Sequence, residues 1–474
     1  MNEKTKKLLI IGLVAIIVLI GAIIALEVTD DGGNSPEQTT SSEELTTRLL
    51  YEKTPDSVKS IEVVNENDEF EIFRSGDGEY TVGGYESGYE VYEYAAKSVF
   101  DAAISITSQK TIAENVDDMS RYGLKKPAVK VKLNLADGKS MTICFGDVVP
   151  MTSTVYFCID GENTVYSVIS SRKDTFSIIK PQLLNPTIVP VPEKTETGEI
   201  PLVRELVIER ADLPYTMHIV RNDEAKSYYL VEPVEKTLSL TANTVAQTGL
   251  YGLTGVAAIK TDPTEKDLVT AGFDKPSGRI TMKSDMGEYT VLFGIPVEGE
   301  EPGFLAMKED GNVIYQVYAS AVPWMTVDVT NITTGYIFET TLDKVDTLTV
   351  TMGGKTERFT KSGLYSDGTV AIKRNGTSMD TAMFRDFFEF TFNAYIDDLA
   401  LDAVIEEGDK PELTVTMKNI SGKEEKAEFY NIENNKTIIV FNGRPSYVCR
   451  TAYVETMKEN MARLDSGEGI IKTW

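Results

Sequence analysis

Histidine is almost missing from this chain of 474 residues; the single one is His218. A multi-histidine metal centre is thereby excluded, and any imidazole base would have to be this residue. Cysteine is nearly as scarce, and three of them cannot make a disulfide framework. Positive charge is also short: 47 Lys and Arg stand against 73 Asp and Glu, for a formal net charge of −26. A nucleic-acid binder presents a basic face that releases counterions from phosphates, so nucleic acid is excluded as a partner. No GxSxG, HExxH, GxxxxGK or GxGxxG stretch occurs. What is present is ordinary for a folded protein, 42% hydrophobic and 25% charged, and at roughly 150 residues per domain the length predicts about three domains.

One long apolar run stands out, Leu8 to Leu26, without a charged or strongly polar side chain. At about 1.5 Å per residue, a helix of that length nearly spans the ~30 Å hydrocarbon core of a bilayer. Lys4, Lys6 and Lys7 precede the run, Glu27, Asp30, Asp31 and Glu37 follow it, and no basic residue appears before Arg48. The positive-inside rule then makes residues 1–7 a cytoplasmic tail, 8–26 a transmembrane helix, and the bulk extracytoplasmic. A cleaved signal peptide has a shorter apolar region, about 7 to 15 residues, ending at a small-x-small site, so a retained single-pass anchor in the cell membrane is expected. The first 26 residues carry +2, which leaves −28 for residues 27–474. Residues 27–45, rich in Gly, Ser, Thr and acid, read as a flexible acidic linker.

Beyond residue 46 the same order of signals recurs three times, about every 143 residues. Each unit opens on an alternating strand: Val58 to Val64, Val203 to Glu209, Val345 to Thr351. A helical stripe follows each time: Tyr92, Ala96, Val99, Ala103 and Ile106; then Val245, Gly249, Leu253 and Val256, with Thr241 or Asn243 as cap; then Phe384, Phe387, Phe388, Thr391, Phe392 and Tyr395. The aromatic stripe is read as core packing rather than a ligand box. Next come Lys126-Pro127, Lys275-Pro276 and Lys410-Pro411, each at the entry to a strand and hairpin. The expected fold class is therefore α+β: an N-terminal transmembrane helix, then three repeated units of antiparallel β-meander, helix, β-meander. The units are 46–180, 202–340 and 341–474, with a Pro-rich linker at 181–201 between the first two.

Candidates for chemistry are few. His218 sits in an alternating strand with no counterpart in the other units, which favours a packing or surface role. Cys144 and Cys158 lie on successive strands; a turn centred on Val149 and Pro150 would set them about three positions out of register, so buried core thiols are expected instead of a bridge. NENDEF and SGDGEY, residues 65–70 and 75–80, lack the spacing of an EF-hand loop. No catalytic, cofactor-binding or metal residues are assigned. Tyr85 and Tyr89, in a Tyr-rich segment, are the candidate ligand platform, a stacking surface for sugar or peptide.

The entries YGLKKP at 122–127 and AGFDKP at 271–276, each followed by a strand, a hairpin and FGD or FGI, resemble the domain-of-unknown-function 4340 family. The resemblance runs over most of residues 46–457 and is weakest in the third unit, where IEEGDKP replaces the entry. Members are often encoded beside ABC transporter components similar to those of gliding-motility systems. It implies an extracytoplasmic accessory subunit with ABC transporter subunits as partners, and supplies no site residues. The expected function is a non-enzymatic, membrane-anchored extracytoplasmic scaffold or binding protein, with the membrane held through Leu8 to Leu26. The alternative is a cell-surface glycan- or peptide-binding adhesin.

Overall fold

The computed structural model describes residues 47–194, 198, 200–432 and 434–474. It corrects the expected fold class. The described residues are mostly β, with 28 strands in four antiparallel sheets against seven α-helices of 4 to 16 residues. The helical stripes predict one helix per repeat beside short meanders, but each repeat sets two or three short helices against eight or nine strands, so the sheet dominates. The transmembrane helix goes from the description too. Among the described residues no helix is long and apolar enough to cross a membrane, and the span expected at Leu8 to Leu26 lies outside them.

Two compact units divide the described chain, the first holding residues up to 191 with 252–277 and 291–322, the second holding 192–251, 278–290 and 323–474. In the first unit, the opening strand Val58–Asn65 is flanked on one side by Glu69–Arg74 and Tyr80–Val82 in hairpin order. On its other side it pairs with Val129–Leu135, and Ser140–Val148, Thr154–Ile159 and Val165–Ile169 follow outward. Lys110–Ala113, the second strand after helix Glu93–Ile104, closes the far edge. The sheet of the third repeat, in the second unit, has the same plan: Val345–Met352 lies between Lys355–Ser362 and Leu413–Asn419, and Asp398–Leu399 closes the far edge against Arg444–Arg450. Strands of the middle repeat fall into both units, and each part keeps this order. Val203–Arg210 pairs with Met217–Asn222 and Gly278–Ser284 in the second unit, while Gly303–Lys308, Val313–Tyr318 and Ala257–Thr261 are neighbours in the first. Pairing the first strand of a repeat with the first strand after its Lys-Pro entry is what the duplicated signals encode.

The repeated motif glycines have a steric reason. Gly123 ends a short 3-10 turn, Met119–Tyr122, in the left-handed region (φ +70), and Gly272 ends helix Glu265–Ala271 in the same way (φ +79). Each turn end is laid onto a strand glycine. A Cβ on Gly146 would stand 2.2 Å from the Tyr122 carbonyl oxygen, and one on Gly294 would stand 2.1 Å from that of Ala271. YG with FG in the first repeat, and AG with FG in the second, are thus the two halves of one close backbone approach. In the third repeat Gly408 meets nothing within 4 Å and Phe429-Tyr430 stands where the others have FG, so its departing sequence goes with a departing contact.

Helices cover one face of each sheet. In the first repeat Ala96, Val99, Phe100 and Ala103 of helix Glu93–Ile104 are buried with Ile61, Val131, Phe145 and Phe157, and each fully buried Phe contributes about 2–3 kcal/mol. Ile106, expected on the helix, belongs to strand Ser105–Ser108. The middle helix is Leu240–Thr248; it is capped by Ser239, which accepts from the Ala242 amide, instead of by Thr241 or Asn243, and Gly249 (φ +58) stops it before Leu253 and Val256. Helix Thr381–Phe392 buries Phe384, Phe387 and Phe388, with the rings of Phe384 and Phe387 5.6 and 5.2 Å from Phe359. Its Asp380 cap accepts from the Met383 amide at 2.7 Å, and Asp380→Ala is expected to cost about 1 kcal/mol in a chemical melt. A further helix, Thr451–Ser466, brings Tyr453 flat against Phe390 (5.3 Å, 9°), with its hydroxyl donating to the Thr391 carbonyl.

Beside that helix lies a buried ion cluster. Glu357, 2% exposed, accepts from Arg374 Nε and Nη2 at 2.7 and 2.8 Å, from Asn375 Nδ2 at 2.7 Å and from Lys355 Nζ at 2.9 Å. Two-toothed pairing with Arg374 holds its carboxyl down at about 2, against an ordinary value near 4.5.

Candidate functional site

Two grooves deserve comparison on charge. In the second unit a groove of about 600 Å³ is lined by Asp397, Asp398, Glu455, Lys436 and Arg450, and Arg450 already faces Asp397 at 3.7 Å. Three carboxylates line it against two cations, so nothing in it calls for an outside anion.

The groove of the first unit, about 480 Å³, differs. It lies between helix Glu93–Ile104 and the short helix Ser170–Phe176, which follows strand Val165–Ile169 directly. That strand is buried on both faces over Val165, Tyr166, Ser167 and Val168 and leaves Ile169 47% exposed at its end, so the chain turns into the helix at the rim. Tyr94, 60% exposed, borders the groove from the other helix. Lys97 forms an i,i+4 ion pair with Asp101 and is neutralised there. Arg172 is not: among the described residues no carboxylate pairs with it, and its one hydrogen bond is a long one, Nη1 to the Ala102 carbonyl at 3.5 Å. Burial pulls its guanidinium down from the ordinary value, with Tyr51 opposing, yet Arg stays charged in proteins. Thr175 spends its hydroxyl on the Ser171 carbonyl at 3.0 Å, while the hydroxyls of Ser98 and Ser171 make no hydrogen bond among the described residues. One guanidinium without a carboxylate partner and two unengaged hydroxyls on a groove wall are the donors with which a protein can hydrogen-bond a carboxylate or a phosphate.

Tyr85 and Tyr89 come together, with ring centroids 4.7 Å apart, but inside a seam of the first unit. Tyr85 is 6% exposed, its hydroxyl lies 3.1 Å from Thr261 Oγ1, and Lys180 Nζ sits 4.2 Å over its ring. Half-buried Tyr89 accepts from Asn312 Nδ2 at 2.9 Å. Both rings therefore tie the first repeat to strands of the second, and Tyr85 has no face left for stacking. Gly84 and Gly88, both at positive φ, turn the segment inward. His218 faces Val207 and reaches diagonally to Glu205, with Nε2 3.1 Å from Oε1, and Lys283 Nζ, directly across from Glu205, holds the other carboxylate oxygen at 2.6 Å. Lys283 chiefly lowers the Glu205 carboxyl, and the trio is a cross-strand charge pairing. Among the described residues no group of three or more His, Cys, Asp or Glu could hold a metal ion.

Residues 85–197 match the family model described as Domain of unknown function (DUF4340). The match begins at Tyr85 and includes the Arg172 groove, the YGLKKP entry and the FGD strand, so the matched segment carries both the close glycine approach and the groove. No curated protein and no solved structure matches the chain.

The Arg172 groove was missed in sequence reasoning. Its residues come from two helices some 70 positions apart, and an arginine without a partner leaves no signal in a string of letters.

Proposed function

We propose that the chain is a non-enzymatic scaffold or binding protein on the outer side of the cell membrane, and that the Arg172 groove receives an acidic group of its partner. The observation that carries this reading is Arg172, a cation half withdrawn from water that pairs with no carboxylate among the described residues, since Asp101 on the same groove is engaged by Lys97. A half-buried charge costs free energy until it is paired, and a ligand carboxylate or phosphate supplies the missing partner. The acidity of residues 27–474 supports an exterior surface kept soluble by net charge, and repeated sheets of one strand order support a frame instead of a flexible tether. Subunits of an ABC-type transport system are the partner class suggested by the family resemblance.

Affinity purification of the full-length chain from gently solubilised membranes tests this. The wild type is expected to bring down a membrane partner, and Arg172→Glu to lose it by at least tenfold while melting at the same temperature, since Arg172 makes only one long hydrogen bond. Equal recovery with both proteins would sink the reading. On intact cells, added protease is expected to remove the described region; protection of that region would contradict the exterior placement.

A further inference from the structure

Cys144 and Cys158 face each other directly across strands Ser140–Val148 and Thr154–Ile159. This overturns the expected offset of three positions. The turn centres near Met151, which takes a left-handed φ of +61, and Val148 faces Val155. A bulge between Phe145 and Val148 takes up one more residue and brings the thiols level. The Asp160 amide donates to the Thr142 carbonyl at 2.9 Å, so 142 and 160 form a hydrogen-bonded pair, and two residues along so do 144 and 158. Cα atoms in such a pair lie about 5.5 Å apart, inside the roughly 4.4–6.8 Å that a disulfide spans. Both side chains point to the same face and are buried together among Val116, Tyr122, Leu124 and Val165. The neighbouring Cys158 thiol lowers the Cys144 thiol against burial and Asp160, and Lys130, its cross-strand partner on the other side, adds to the lowering.

We propose that Cys144 and Cys158 close a disulfide across this hairpin when the chain meets a thiol–disulfide oxidant. The Cys144 thiolate attacks one sulfur of the oxidant disulfide, forming a mixed disulfide and releasing one oxidant thiolate, which takes the Cys144 proton. Cys158, losing its proton, attacks Cys144 Sγ and expels the second oxidant thiol. Two electrons and two protons pass to the oxidant, which ends as two thiols. A bridge at a hydrogen-bonded pair is strained relative to one built for it, which makes it readily reversed. Cys449, fully buried on strand Arg444–Arg450 of the other unit, takes no part.

The test uses the purified full chain in a glutathione and glutathione-disulfide buffer, both folded and refolding from denaturant, followed by denaturation in an alkylating reagent and peptide mass mapping. The refolding arm removes the barrier that burial places on the oxidant. Labelled thiols are expected to fall from three to one, leaving Cys449, with a linked Cys144–Cys158 peptide two hydrogens lighter and a return to three labels after dithiothreitol. Cys144→Ser should keep both remaining cysteines labelled. Three labels in the oxidised wild type in both arms, or single glutathione adducts with no linked peptide, would overturn the proposal. The readout does not depend on where the chain resides in the cell.

Discussion

Gly146→Ala is expected to destabilise the first unit by about 3 kcal/mol, the upper part of the range for forced overpacking. The added methyl carbon would stand 2.2 Å from the Tyr122 carbonyl oxygen, a backbone atom held by the turn that ends at Gly123. Relief cannot come from a rotamer change, because the obstacle is main chain. The 3-10 turn would have to lift off the strand, uncovering Tyr122 and Leu124 of the small cluster over the Cys pair. Gly294→Ala meets the Ala271 carbonyl at 2.1 Å and should cost about as much. Gly76→Ala is the control: its Cβ would meet nothing within 4 Å, its φ is not positive, and a change within about 0.5 kcal/mol is expected. Denaturant melts of the three variants check the series. A Gly146→Ala protein as stable as Gly76→Ala would remove the steric explanation of the repeated motif.

The second large effect is expected at Arg374. Arg374→Met leaves Glu357, 2% exposed, with Lys355 and Asn375 alone, and breaking a buried pair from one side costs about 3–5 kcal/mol. Asp465, which accepts from Arg374 Nη2 and Lys355 Nζ, also loses a partner. The acid side of the stability profile follows from the same pair. Glu357 has its carboxyl depressed to about 2 when folded and near 4.5 when unfolded, so its contribution is complete above about 4.5 and is lost as the pH falls from there toward 2. Glu357→Gln should flatten that part of the profile while lowering stability at neutral pH. An unchanged slope between pH 4.5 and 2 in the Gln variant would show that the cluster carries no such linkage.

Repetition was legible because it is written in punctuation. The alternating openings and the Lys-Pro entries recur in the same order in all three repeats, and the Gly pairs in the first two, and the structure turns them into sheets of one strand order. Fold class was misjudged for want of weighing: a helix of 9 to 12 residues announces itself by periodicity as loudly as a whole sheet does. Helix Thr451–Ser466 was overlooked even though Tyr453, Val454, Met457, Met461 and Leu464 mark one of its faces. The Cys register failed for a different reason. A bulge and a left-handed Met151 shift pairing by residues that no alternation pattern reveals, since β-branched and apolar residues run through the hairpin without a Gly to mark the turn. Tyr85 misled because a Tyr-rich, Gly-rich stretch has the composition of an exposed loop, while its rings close a seam between distant parts of the chain.

Cross-linking mass spectrometry on intact membranes bearing the full-length chain tests the account most directly, because Lys97 lies in the groove beside Arg172 and reacts with amine-directed linkers. The account predicts links from Lys97 to a membrane partner in the wild type and their loss in Arg172→Glu, with links elsewhere on the chain unchanged. Links from Lys97 that persist in Arg172→Glu, or a wild-type Lys97 that joins only residues of its own chain, would contradict it.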